Sequence, residues 1–191
     1  MIAYCRDRAF AVIDFSRDHF ALFGLPRRFR LDADALDRAY RQLQGEVHPD
    51  RFASGDDAQK RLASQSSARV NEAYAALKNP VSRAQYLLWL EGIDAGGEMG
   101  PQLPVDFLER QLERREAANN AVEARDQRAL DALLSDVRAD AREMESELLL
   151  QFDGRGSHGE TPMRVRELMF LAKLIDDLDA MQSALDSEGE I

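Results

Sequence analysis

Apolar residues recur at spacings of three and four along most of this chain, and this periodicity limits its fold more than any other feature. Such spacing places apolar side chains on one face of an α-helix. No run of alternating β-branched residues interrupts the pattern, and glycine and proline are sparse outside a few junctions. The sequence therefore predicts an all-α protein.

One break divides the predicted helices into two groups. The segment Asp94–Pro101 holds three glycines and a proline within eight residues, which is incompatible with a helix. The helices after it begin at Pro104, near Asp126 and at Thr161, and their short links predict an antiparallel three-helix bundle. The predicted division is an N-terminal extension over 1–16, a helical domain over 17–92, a linker over 93–103 and the bundle over 104–191.

Charge and cysteine content narrow the classes of partner and compartment. Residues 1–100 carry 14 basic and 14 acidic side chains, whereas residues 101–191 carry 11 and 21, so the second half holds the whole net charge of −10. This balance disfavours nucleic acid as a partner. No apolar stretch approaches the ~20 residues that cross a bilayer, so no membrane association is expected. Cys5 is the only cysteine, which fits a reducing compartment, and we expect a cytoplasmic protein.

A second informative feature is the run Val47-His48-Pro49-Asp50-Arg51 at the end of a predicted helix. Proline lacks a backbone N–H and fixes φ, so it stops the helix and pushes His48 out of the α region. The expected result is a stiff loop that presents an imidazole and a carboxylate to solvent. Arg38 and Arg41 lie on the preceding helix, opposite its apolar side, and we interpret the region as a recognition device.

The sequence offers little for catalysis or metal binding. Its three histidines are His19, His48 and His158, and His48 with Asp50 supplies only two of the ligands that a metal site needs. No pairing of carboxylates suggests acid–base chemistry, and no glycine-rich phosphate motif is present. We therefore predict a protein that is not an enzyme and has no metal and no cofactor.

The loop in its context resembles the J domain of DnaJ-type co-chaperones, across about residues 17–92. A long helix ending in Arg69-Val70-Asn71-Glu72-Ala73-Tyr74 follows the loop, and then comes Arg83-Ala84-Gln85-Tyr86. The resemblance implies that the loop docks on the ATPase domain of a DnaK-type chaperone and triggers ATP hydrolysis. The expected chaperone-binding residues are His48, Pro49, Asp50, Arg41 and Arg38. Gln42, Gln44 and Glu46 dilute the basic charge of the helix, which favours a dedicated chaperone over a general one.

Further segments resemble the HscB family, the J-type co-chaperones of bacterial iron–sulfur cluster assembly. These segments begin at His19-Phe20-Ala21-Leu22-Phe23-Gly24, at Arg83-Ala84-Gln85-Tyr86-Leu87-Leu88 and at Phe107-Leu108-Glu109-Arg110-Gln111-Leu112. The resemblance covers nearly the whole chain after residue 16. It implies an L-shaped molecule of a J domain and a C-terminal bundle, which delivers the scaffold protein IscU to the chaperone HscA.

The resemblance also implies where the scaffold protein binds. Leu108 and Leu112 share a stripe with Val105 on the helix from Pro104, and acidic residues flank that stripe. An apolar strip with an acidic border suits an amphipathic partner. The contacts that the family pattern implies are Leu108, Leu112, Glu113, Glu116 and Phe170. Glu109 stands where other members often have an apolar residue, and Asn120 stands where they often have an acid.

Other interpretations of the same residues stay open at this point. Leu108 and Leu112 at helical spacing also fit the core of the bundle, and Phe170 lies at the margin of an apolar stripe. Glu113 and Glu116 also fit a plain solvated face. For the whole chain, the alternatives are a helical adaptor without chaperone coupling, or a J protein with a different client and no role in iron–sulfur assembly.

Overall fold

The computed structural model describes residues 13–52, 55–97, 100–154 and 158–189, and in these ranges every regular element is helical, which confirms the all-α prediction. Cys5 and residues 1–12 of the predicted extension lie outside the described residues. In the described part, no helix has the length and apolar composition that a membrane crossing needs. The helices are α1 His19–Leu22, α2 Ala33–Val47, α3 Asp57–Lys78, α4 Pro80–Leu90, α5 Val105–Glu123, α6 Gln127–Asp153 and α7 Thr161–Gly189, with 3-10 turns at Pro49–Phe52 and His158–Glu160.

Aspartate side chains start most of the helices. The Asp32 carboxylate accepts the Ala35 N–H at 3.0 Å and caps α2. The Asp56 carboxylate accepts the Gln59 backbone N–H, and the Gln59 side chain accepts the Asp56 backbone N–H. Together the two residues cap α3. Each such cap stabilises its helix by about 0.5–2 kcal/mol because it satisfies a backbone donor that has no partner within the helix.

By packing, the described chain forms two compact units, of which the first holds residues up to Arg27 and Leu31–Asn79. Its core forms where α2 packs on α3 and buries Leu36 and Val47. Between the two helices, the Tyr40 and Tyr74 rings stack with their centroids 4.0 Å apart. Lys78 Nζ lies 2.8 Å from Asp37 Oδ1, and the hydrogen bonds from Lys78 and Tyr74 lower the pKa of the Asp37 carboxyl.

The second unit contains the predicted three-helix bundle, and its ion pairs show the helix directions. Arg138 bonds Asp179 at 2.7 Å and Arg164 lies 3.8 Å from Glu147, so residue numbers rise along α6 as they fall along α7. These two helices are therefore antiparallel. A three-residue link joins α5 to α6, and Arg115 of α5 bonds Asp177 of α7 at 3.1 Å. The Phe107 ring meets the Phe170 ring edge-on at 6.4 Å, which shows that α5 and α7 run parallel.

The second unit also includes α4 and the short segment Arg28–Arg30. The Phe29 ring is buried and stacks on Phe152 at 5.5 Å, while the Asp153 carboxylate accepts the backbone N–H of Phe29 at 2.9 Å. Helix α4 packs on α7, where the Gln85 amide donates to Met169 Sδ at 3.1 Å. The domain boundaries predicted from the sequence at residues 17, 92 and 104 refer to segments of the sequence rather than to these packing units. They stay a prediction.

Candidate functional sites

The first candidate site is the loop His48-Pro49-Asp50, called the HPD loop below. Helix α2 ends at Val47, and His48 has φ −58° and ψ 128°, outside the helical region as the following proline requires. Pro49 then begins the 3-10 turn. The proline therefore sets both the end of the helix and the direction of the loop.

The HPD loop turns its charged group to solvent. The Asp50 backbone N–H donates to His48 Nδ1 at 3.3 Å, which ties the imidazole to the loop backbone. Asp50 Oδ2 lies 3.6 Å from Nδ1, beyond hydrogen-bond distance, and the Asp50 side chain is 89% exposed. The carboxylate is thus open to an incoming cation, and a guanidinium would bind it with two hydrogen bonds.

Arg51 fastens the HPD loop to the helix before it. Its guanidinium donates to the Gly45 carbonyl oxygen at 2.6 Å. That carbonyl belongs to the last turn of α2, where the carbonyl oxygens have no N–H partner within the helix. Sequence reasoning passed over Arg51 as a functional residue, although a basic side chain just after a helix end is the pattern that could have identified it.

Arg38 and Arg41 lie on the exposed face of α2, as their helical phase predicts. They share this helix with the HPD loop at its C-terminal end. The arrangement places positive charge on the helix that leads into the loop with the exposed carboxylate. Such charge orients an encounter with an acidic surface and raises its association rate.

The second candidate site lies along α5 and α7 of the bundle. We call Leu108, Leu112, Glu113, Glu116 and Phe170 together the client surface. Leu108 is 43% exposed, Leu112 is 59% exposed and Phe170 is 45% exposed, so these large apolar side chains face solvent rather than the core. Glu113 and Glu116 are exposed beside them.

A different set of residues on α5 supplies the core of the bundle. Phe107, Gln111, Ala118 and Ala121 are buried, and the Gln111 amide donates to the Phe107 carbonyl oxygen at 3.3 Å. The core alternative for Leu108 and Leu112 is therefore wrong. Glu109 and Asn120, the two departures from the family pattern, are both exposed on α5.

His19, the other histidine whose side chain the structure describes, is not part of the HPD loop or of the client surface. His19 is only 5% exposed in α1, and burial lowers the pKa of its imidazole. Among the described residues, no group of three or more His, Cys, Asp or Glu side chains is placed to hold a metal ion.

Comparisons with known proteins identify the families of both parts of the chain. Residues 18–86 match the DnaJ domain family, and residues 103–179 match the family described as the HSCB C-terminal oligomerisation domain. A co-chaperone protein HscB homolog of Paraburkholderia phymatum is 46% identical over 169 residues, which cover 88% of this chain and 96% of that protein. A homolog of the same name from an Azoarcus species is 43% identical over 175 residues, covering 92% of this chain and 99% of the relative.

Solved structures similar to this chain are also HscB proteins. The chaperone HscB from Vibrio cholerae is 34% identical with a TM-score of 0.75, covering 88% of this chain and 99% of the other. The human co-chaperone protein HscB is 26% identical with a TM-score of 0.80, covering 94% and 93%. The J domain implies an Hsp70-type chaperone as a partner. The chain belongs to the HscB family, the J-domain co-chaperones of iron–sulfur cluster assembly.

Proposed function

We propose that this protein docks its HPD loop on the ATPase domain of the chaperone HscA and delivers the scaffold protein IscU to it. The observation that carries this proposal is the exposed Asp50 carboxylate on a loop that Pro49 and Arg51 hold in place. A loop that is already ordered loses little conformational entropy on docking, so more of the contact energy contributes to binding. We place this activity in the bacterial cytoplasm, and we assign the protein no enzymatic activity of its own.

The chaperone contact of the proposal uses His48, Pro49 and Asp50, with Arg38 and Arg41 providing positive charge. A partner arginine would pair with Asp50, and the two arginines of α2 would face acidic residues of the ATPase domain. The scaffold contact uses the client surface. Its apolar centre and acidic border suit an apolar segment of IscU that is flanked by basic side chains.

Both contacts act together in the proposed cycle. A scaffold protein held on the client surface is tethered to the chaperone that the HPD loop engages, which raises its effective concentration there. Stimulation of ATP hydrolysis and delivery of the client are thereby linked. The chemical steps of ATP cleavage belong to the chaperone.

The decisive experiment measures the ATP turnover of HscA with this protein, with and without IscU. Asp50→Asn and His48→Gln should each abolish most of the stimulation and leave the melting temperature unchanged, because both side chains are exposed. Leu108→Ser combined with Leu112→Ser should weaken the binding of IscU and preserve the stimulation seen without it. Full stimulation by the Asp50→Asn variant would contradict the proposal, and so would a wild-type protein that does not bind IscU.

A further inference from the structure

We propose that the client surface extends toward the start of α5, where Val105 and the adjoining pocket hold an apolar side chain of the scaffold protein. This inference rests on the proposed function and names an additional part of the same contact. It involves residues before Leu108 to which the family pattern gives no role. Four structural observations support it.

The first observation is the exposure of Val105. This side chain is 70% exposed at the first position of α5, and Leu108 and Leu112 follow it at spacings of three and four. The three side chains therefore form one continuous apolar stripe. Burying such a stripe against a partner is favourable in proportion to the apolar area removed from water.

The second observation is a cleft beside Leu108 with a volume of about 370 Å³. Pro101, Leu103 and Leu108 supply its apolar lining, and Arg166 of α7 contributes a wall. The volume lies within the range of about 300–1,000 Å³ that is common for clefts that hold ligands. The cleft thus continues the apolar stripe as a shallow depression that is open to solvent.

The third observation is that this cleft is held in shape. The Arg166 guanidinium donates to the Gly97 carbonyl oxygen at 3.2 Å, which fixes the wall to the segment before α5. Gly100 contacts this wall so closely that a Cβ there would clash with the Arg166 guanidinium and would lie 2.8 Å from the Ala95 carbonyl oxygen. The cleft is therefore preformed, which reduces the entropy lost when a partner enters it.

The fourth observation concerns charge. Glu109, Glu113 and Glu116 are exposed beside the stripe, and residues 101–191 carry 21 acidic against 11 basic side chains. Glu109 also removes an apolar contact that other HscB proteins often have. Val105 and the cleft provide apolar area on the N-terminal side of Leu108. The occupant is thus a segment of the scaffold protein whose apolar residue has basic neighbours.

The test measures the affinity of the full-length protein for IscU by calorimetry. Val105→Ser should weaken binding about fivefold, which is typical of losing one apolar contact in an interface. The matched control is Leu150→Ser, because Leu150 is 72% exposed and lies on α6, which contributes no residue to the client surface or to the cleft. This control should bind IscU as the wild type does, and both variants should keep wild-type helicity.

The outcomes separate this inference from the proposed function. If the wild type does not bind IscU, the proposed function fails and the extension fails with it. If Leu112→Ser weakens binding and Val105→Ser does not, only the extension is overturned. Weakening by Val105→Ser with no change in Leu150→Ser supports it.

A second measurement does not depend on the loss of affinity. Gln102 is exposed at the rim of the cleft, so Gln102→Cys in a Cys5→Ser background can carry an environment-sensitive fluorophore. Addition of IscU should change its emission, whereas a label at Ser146→Cys on α6 should not respond. An unchanged signal at position 102 at saturating IscU overturns the inference.

Discussion

Two histidines of the first unit show how the surroundings of a residue decide its use. His48 follows a helix end, is half exposed and accepts a hydrogen bond from the Asp50 N–H, so it shapes a loop that meets a partner. His19 lies in the core and its charged form is disfavoured by burial. Pro49 made the exposure of His48 predictable. Nothing adjacent to His19 in the sequence reveals its burial, which depends on the packing of α1 on α3.

The burial of His19 predicts a loss of stability in mild acid. Its pKa is lowered in the folded protein from an ordinary value of 6.5, so the unfolded chain binds a proton first as the pH falls. Stability should therefore be full above pH 6.5 and decline below it, by at most about 1.4 kcal/mol per pH unit for one proton. Urea unfolding of the wild type and His19→Gln between pH 7.5 and 5 checks this. A wild-type slope that His19→Gln retains in full would contradict it.

At the scale of helices, the sequence predicts where the helices begin, but it does not predict which of their faces are exposed. Asp32, Asp56 and Asp126 start helices as their capping preference predicts, and Pro80 opens α4. The core face of α5 is hard to recognise because it includes the buried amide of Gln111 and two alanines. The most apolar stripe of that helix, through Leu108 and Leu112, is the exposed one. Periodicity identifies a face of a helix, and it does not say whether the chain itself or a partner covers that face.

Replacement by alanine should have opposite effects at two glycines, one just after α4 and one inside α2. Gly92 follows α4 with φ 81°, and its N–H bonds the Trp89 carbonyl oxygen at 3.0 Å, so Gly92→Ala should cost about 1 kcal/mol. Gly45 is exposed inside α2 with open space around an added Cβ. Gly45→Ala should therefore stabilise the protein by about 0.5–1 kcal/mol. Urea midpoints that shift in the same direction for both variants would contradict this account.

At the scale of the whole molecule, the proposed function needs both sites on one chain. A mixture of Asp50→Asn protein with Leu108→Ser/Leu112→Ser protein contains one working copy of each site, but no chain carries both. Because tethering supplies the effective concentration, IscU should not enhance HscA turnover with this mixture as it does with the wild type. Steady-state ATPase assays at equal total protein check the prediction. Restoration of the wild-type enhancement by the mixture would show that the tether is dispensable.

The composition of the second unit also exceeded what sequence reasoning could predict. The glycine-rich break before Pro101 suggested that α4 belongs with the helices before it. By packing, α4 and Phe29 group with the bundle helices, because Gln85 meets Met169 and Phe29 stacks on Phe152, while the predicted domain boundaries stay a prediction. Neither pair has a local signature, since its members are separated by most of the chain.

The packing of α4 on α7 has a consequence during protein synthesis. Ala84, Leu87 and Leu88 of α4 are buried in the folded protein, and α7 is made after α4, α5 and α6. The 70 residues 91–160 separate the end of α4 from the start of α7, and their synthesis takes about 3.5–14 s at ordinary rates of elongation. For that interval the nascent chain carries the apolar face of α4 without the helix α7 that packs on it in the folded protein.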